Sequence, residues 1–257
     1  MPTSLSFDAI VAAAATVAAR VSGLLVFTPF LGSSAIAPRI KAGFVILLTI
    51  LLYPVCGVRG LVLTPAGAVW LMLSEALIGV LIGLSVQFVF EAAQFAGQVI
   101  GMQAGFGLVN ILDPGTQVDT PVLSVFSQTI ATLIFLQVGV HRWIVRSLAS
   151  SFAYLPPGAA LAGGDLVRQL LHAAGGIWVA GVQIAAPALV ATLMIDFVLG
   201  FVGKASPHLP VLFLGLSVKS MVGLLVMALG LRYWPPLFDR YFSSAIHTGE
   251  RLLQLGH

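Results

Sequence analysis

Charge is what this sequence most lacks. Its 257 residues include only 12 Lys+Arg and 9 Asp+Glu, 8% of the chain, where soluble domains carry roughly 25%. A chain of this size cannot build a polar skin from so few charges, which argues against a soluble enzyme, a disordered chain or a fibrous repeat. Cysteine is nearly absent. Cys56 stands alone, so neither an internal disulfide nor a cysteine cluster for zinc or iron–sulfur is available. A cationic stripe is missing as well. The net charge of +3 comes from scattered Arg and Lys beside apolar runs, not from the clustered patch that nucleic-acid binding needs. There is no GxxxxGK[ST] loop, no HExxH and no GxSxG, and His141, His172, His208, His247 and His257 show no metal-ligand spacing. No catalytic residue, cofactor or metal is therefore expected.

What the chain has instead is apolar residues. They make up 59% of it, and mean hydropathy is +1.05. That composition predicts an all-α, polytopic membrane protein, one domain over residues 1–257, built of apolar helical hairpins. The first apolar block, 9–31, has no basic residue before it and Asp8 at its start, unlike a secretory leader, and reads as a retained first membrane helix. A second block, 42–58, is short for a span. A third, 67–90, is long enough to cross a bilayer and is expected to end at Glu91.

Residues 92–112 are apolar but crowded with glycine and glutamine, and predict a broken segment ending at Asp113-Pro114-Gly115. Further apolar residues fill 122–140 and run on to Tyr154. Residues 166–203 are too long for one span, with Gly175-Gly176, Pro187 and Asp196 as expected break points. Residues 211–231 form the last strong block. After Pro235-Pro236, the spacing of Phe238, Phe242, Ala245 and Ile246 predicts an amphipathic helix, lying on the membrane, on a partner or back on its own chain. Arg39 and Lys41 favour a cytoplasmic first loop, which Arg59 opposes.

Two features stand out within the blocks. Arg20, Glu75, Asp196 and Lys219 are charges embedded in apolar sequence. A lone ion in hydrocarbon is costly, so each needs a partner, on this chain or on another subunit, or else belongs to an ion pathway. Ala93, Gly97, Gly101 and Gly105 step by four, and Gly79 and Gly83 repeat the spacing. Small-residue faces of this kind let backbones approach closely, within the chain or between subunits.

The chain resembles the FliR/SctT family, export-gate membrane components of bacterial type III secretion systems. The resemblance is carried by Leu77-Ile78-Gly79, by the run from Gly97-Gln98 through Gly105-Phe106-Gly107, and by Leu112-Asp113-Pro114. It departs at Val109, where the family has a small residue. Pro38-Arg39-Ile40-Lys41, Ala186-Pro187-Ala188-Leu189, Ala205-Ser206-Pro207 and Val218-Lys219 agree in the same order. Gly139-Val140-His141 is more similar to the flagellar than to the injectisome branch.

The resemblance implies a non-catalytic subunit of a flagellar export gate in the bacterial inner membrane. FliP-like, FliQ-like and FlhB-like partners would surround a closed channel for unfolded export substrates. It implies a FliP-like part at about 1–165, a FliQ-like hairpin at about 166–235 and a tail helix at 236–257. It also implies a plug in the segment 105–120, with Gly105, Phe106, Gly107, Leu108, Ile111, Leu112, Asp113, Pro114 and Gly115 as gating residues. Gly79, Gly83, Ala93, Gly97 and Gly101 are expected to pack against neighbouring subunits. The competing readings are a secondary transporter of a small solute or ion, a membrane scaffold without a channel, and an injectisome gate.

Overall fold

A computed structural model describes residues 7–28, 32, 36–56, 65–106, 122–157, 164–206, 208 and 211–254. The described residues are helical almost throughout and contain no strand. The helices are α1 (Phe7–Phe27), α2 (Pro38–Cys56), α3 (Pro65–Gln103), α4 (Val122–Val138), α5 (Val140–Tyr154), α6 (Gly164–Ala205) and α7 (Val211–Gly230). A 3-10 turn (Leu231–Tyr233) then leads into α8 (Trp234–Gln254). Among the described residues four helical segments are long and apolar enough to cross a membrane, Ile10–Phe27, Gly67–Gln103, Leu171–Ala205 and Leu214–Gly249, or five if α4 and α5, bent by 67°, count as one span. This is a polytopic all-α membrane fold.

Two expected interruptions are absent. α3 runs for 39 residues through Glu91, Gly97 and Gly101. α6 runs for 42 residues through Gly175-Gly176, Pro187 and Asp196. The reason is the cost of the alternative. A glycine weakens a helix by only ~1 kcal/mol, and an internal proline is tolerated in apolar surroundings. Unwinding there would instead leave backbone N–H and C=O groups without water or partners.

Where chain breaks do occur, glycine supplies the backbone. Gly139 separates α4 from α5 with φ +77. α3 ends with Gly105 at φ +87. There the Phe106 N–H donates to the Gly101 carbonyl at 3.0 Å and the Gly105 N–H to the Met102 carbonyl at 3.1 Å. This is the Schellman pattern, and its left-handed position disfavours any residue with a Cβ.

The chain divides into two compact units. The first comprises Met1–Phe88, Val138–Ala174 and Phe242–His257. Its buried residues include Val17 and Val21 of α1, Ile78 of α3, Leu148 and Phe152 of α5, and Phe242 of α8. Gly249 of α8 sits where a Cβ would press on the Ser85 hydroxyl at 3.2 Å, so the tail folds back onto its own chain. The second unit comprises Val89–Gln137 and Gly175–Tyr241. Its core includes Ala93, Ala96 and Ile100 of α3, Ala131 and Phe135 of α4, Ile184 and Ala188 of α6, Met227 of α7 and Phe238 of α8. Phe90 and Phe135 meet edge-on, their ring centroids 5.6 Å apart.

Candidate functional site

The four embedded charges fall into two pairs, one in each unit. In the first unit Arg20 of α1 is fully buried. Its Nε and Nη2 both lie 2.6 Å from Oε2 of Glu75 on α3. Nη1 donates to the Ser151 hydroxyl at 2.9 Å, and Nη2 donates to the Leu155 carbonyl at 3.0 Å. The guanidinium also stacks 3.8 Å above the Phe152 ring centroid. The Ser151 hydroxyl in turn donates a hydrogen bond to the Leu148 carbonyl at 2.6 Å. One side chain thus ties three helices together and satisfies a carbonyl at the C-terminal end of α5. Burying a charge is tolerable only under such full compensation.

Close packing brings α1 and α3 near enough for this pair. A Cβ on Gly79 would collide with the Arg20 carbonyl, one on Gly83 would meet the Leu24 carbonyl, and one on Gly23 would collide with the Ala76 carbonyl. These backbones touch, as small-residue faces allow. Gly79 and Gly83 therefore meet α1 of this chain. Gly97 in the second unit likewise abuts the Leu123 carbonyl and Ser127 of α4. Ala93 and Gly101 are buried. The spacing marks a close approach but does not say whose helix makes it, and at Gly79, Gly83 and Gly97 the neighbour is the chain itself.

In the second unit Lys219 Nζ of α7 lies 2.6 Å from Asp196 Oδ1 of α6. The pair joins two antiparallel helices. As α6 advances from Thr192 through Asp196 to Leu199, the facing residues on α7 fall from Gly223 through Lys219 to Gly215. Lys219 thus has an acid within its own chain. The pair is only partly shielded: the Lys219 side chain is 20% exposed and that of Asp196 43%. Around it α6 exposes Leu193, Met194, Phe197 and Val198, and α7 exposes Leu214, Val218 and Met221.

Sequence reasoning missed the further partners of Arg20. Ser151 and Leu155 lie more than a hundred residues away, and no local pattern marks a serine or a carbonyl as a guanidinium acceptor. It also missed the contact between the Tyr241 hydroxyl and Gln183. Of the expected gating residues, Gly105 and Phe106 are described. Gly105 packs against Leu216 of α7, Ala104 accepts a hydrogen bond from the Ser220 hydroxyl at 2.7 Å, and Phe106 is exposed. Gly107, Leu108, Ile111, Leu112, Asp113, Pro114 and Gly115 lie outside the described residues. Among the described residues no three metal-capable side chains come together.

The model of family 1 of the bacterial export proteins matches residues 11–245. That stretch contains both ion pairs, both glycine faces and the α6–α7 hairpin. The chain belongs to family 1 of the bacterial export proteins. Within that export family it is similar to the flagellar biosynthetic protein FliR of Pectobacterium carotovorum subsp. carotovorum. The two are 31% identical over 88% of this chain and 86% of the relative. FliR of Escherichia coli strain K12 is 28% identical over the same shares. FliR of Bacillus subtilis strain 168 is 26% identical over 92% of each chain. The resemblance read from the glycine-rich segment is thus matched across nearly the whole length of this export-family member.

Proposed function

We propose that this chain is a non-catalytic subunit of the flagellar protein export gate in the bacterial inner membrane. With FliP-like, FliQ-like and FlhB-like subunits it forms a closed channel through which unfolded flagellar proteins leave the cell. The observation that carries this reading is the family match from residue 11 to 245, together with the FliR names of its similar relatives. The open faces of α6 and α7 support it. They are apolar, yet they carry a partly exposed ion pair, which suits a protein neighbour or water better than lipid.

In this assignment α6 and α7 are the FliQ-like hairpin, and the residues before α6 are the FliP-like part. The segment 105–120 is the plug: its glycines allow backbone turns closed to other residues, and Phe106, Leu108, Ile111 and Leu112 supply apolar bulk to seal a constriction. The side chains perform no bond chemistry. Their task is to hold a seal until a substrate or partner opens it.

The test is genetic. Removing the gene for this chain from its host should abolish secretion of flagellar proteins into the medium and leave their synthesis intact. Re-expression of the chain should restore secretion. Normal secretion without the chain contradicts the reading.

A further inference from the structure

The end of α7 carries the marks of a membrane boundary. α7 has 20 residues, about 30 Å at roughly 1.5 Å per residue, which matches the hydrocarbon layer. Arg232, Tyr233 and Trp234 follow it, then Pro235-Pro236 and the charged pair Asp239-Arg240. A cation and two aromatic rings with polar tips are the side chains that settle at the level of lipid headgroups.

Beside this boundary, within the second unit, α6, α7 and the start of α8 line a cleft of about 210 Å³. Ile184, Val226, Met227 and Leu237 give it an apolar lining, and Gly230 leaves one side without a side chain. The polar side chains that line it are Gln183, Tyr233 and Trp234, and each can donate a hydrogen bond. Gln183 Oε1 already accepts from the Tyr241 hydroxyl, which leaves its amide N–H groups. Trp234 is the most telling of the three. It is only 4% exposed, and a buried indole N–H usually has an acceptor. Its ring meets Phe238, yet its N–H has no acceptor among the described residues. Nor is that nitrogen sealed in: the fully enclosed side-chain atoms without a partner are the hydroxyl oxygens of Ser124, Ser127 and Ser147.

We propose that this cleft binds one phospholipid of the bilayer, an inference that rests on the membrane fold and not on the export role. An acyl chain lies on the apolar lining, an ester carbonyl accepts from the Trp234 indole, and the phosphate sits near Arg232. The chemistry selects this occupant. An apolar lining bordered by donors calls for a molecule with a hydrocarbon body and acceptors at one end. Arg232, next to Tyr233, is exposed and makes no hydrogen bond or ion pair with another described residue, so it is available to an anion. A phospholipid carries its esters and phosphate at the depth where Arg232, Tyr233 and Trp234 settle. An acidic side chain from a protein neighbour would satisfy the donors but leave the apolar lining uncovered.

Photolabelling tests this. The tagged full chain, with whatever subunits co-purify, is reconstituted into vesicles of phosphatidylethanolamine and phosphatidylglycerol. A trace of phosphatidylglycerol with a diazirine in its acyl chain is included, and adducts are mapped after irradiation. They should concentrate on residues 183–188 and 226–237, the segments of α6, α7 and α8 that line the cleft. Trp234→Phe keeps a ring but removes the N–H, and should lower the yield there by roughly two- to tenfold. Gly230→Leu should lower it at least as far by filling the cleft. A Cβ at that position meets nothing nearer than Trp234 Nε1 at 3.8 Å, and the backbone there is ordinary right-handed helix. Both variants are labelled only once their helical signal and elution match the unsubstituted chain; should Gly230→Leu not fold, Trp234→Phe carries the test. A diazirine diacylglycerol, which lacks the phosphate, should label the cleft less. Labelling by diacylglycerol as strong as by the phospholipid overturns the proposal. So do adducts absent from these segments, as a protein neighbour seated in the cleft would cause, or a yield indifferent to Trp234→Phe.

Discussion

Arg20 and Glu75, 55 residues apart in sequence, share a 2.6 Å contact with neither side chain exposed by more than 1%. Around them the hydroxyl of Ser151, the carbonyl of Leu155 and the ring of Phe152 complete the guanidinium's surroundings. The contact joins α1 to α3 and both to α5, so it sets the register of three helices in the first unit.

Removing one member of this pair should harm more than removing both. Glu75→Ala leaves a buried guanidinium short of its counter-charge, a loss of roughly 3–5 kcal/mol. Arg20→Met with Glu75→Leu removes both charges and should restore much of that loss. Thermal unfolding of the purified variants in detergent measures it. Equal damage in the single and double variants would show that the pair is not the unit that matters.

Backbone contact between α1 and α3 gives a second expectation. Gly79→Leu places a branched side chain against the Arg20 carbonyl and should destabilise by about 1–3 kcal/mol or more through overpacking. Gly43 of α2 has nothing within 4 Å of its would-be Cβ. Gly43→Ala should therefore be neutral, or stabilising by up to roughly 1 kcal/mol through helix propensity. Melting temperatures of the two variants should move in opposite directions, or only the Gly79 variant should move.

Much of this fold is legible in the sequence. The apolar blocks place α1, α2, α7 and the tail helix to within a few residues, because each is bounded by proline, glycine or charge. The lengths of α3 and α6 are not legible. Glu91 marks the end of an apolar block by its charge, and Gly175-Gly176 and Pro187 are residues that weaken or stop helices in water, yet in apolar surroundings the unsatisfied backbone costs more than these residues do. The embedded charges are visible as anomalies, and their signs match two by two. Which acid serves which base depends on how helices pack over tens of residues, and no local pattern encodes it. The glycine faces announce close contact without naming the partner helix.

The Lys219–Asp196 pair joins α6 to α7 on a face with large exposed apolar side chains. Lys219→Met leaves Asp196 without its cation and should reduce both recovery of the assembled complex and secretion of flagellar proteins. Adding Asp196→Leu should recover assembly. Unchanged assembly and secretion in Lys219→Met would mean that the pair contributes nothing to either.

The plug assignment predicts a leak. Deleting residues 108–112 should leave assembly with partner subunits intact and let small ions pass through the resting complex. An ordinary turn would respond the other way, with weaker assembly and a tight membrane. Conductance of the reconstituted complex, alongside its yield, separates the two.

The central claim is that this chain works as one component of a hetero-oligomeric export gate, and its assembly state tests that claim most directly. The chain should be extracted from its own host in mild detergent through an affinity tag, and the mass and composition of the complex measured. The account predicts a discrete hetero-oligomer containing FliP-like and FliQ-like subunits. A chain that emerges alone or as a homo-oligomer, from cells that express and need those subunits, would contradict it.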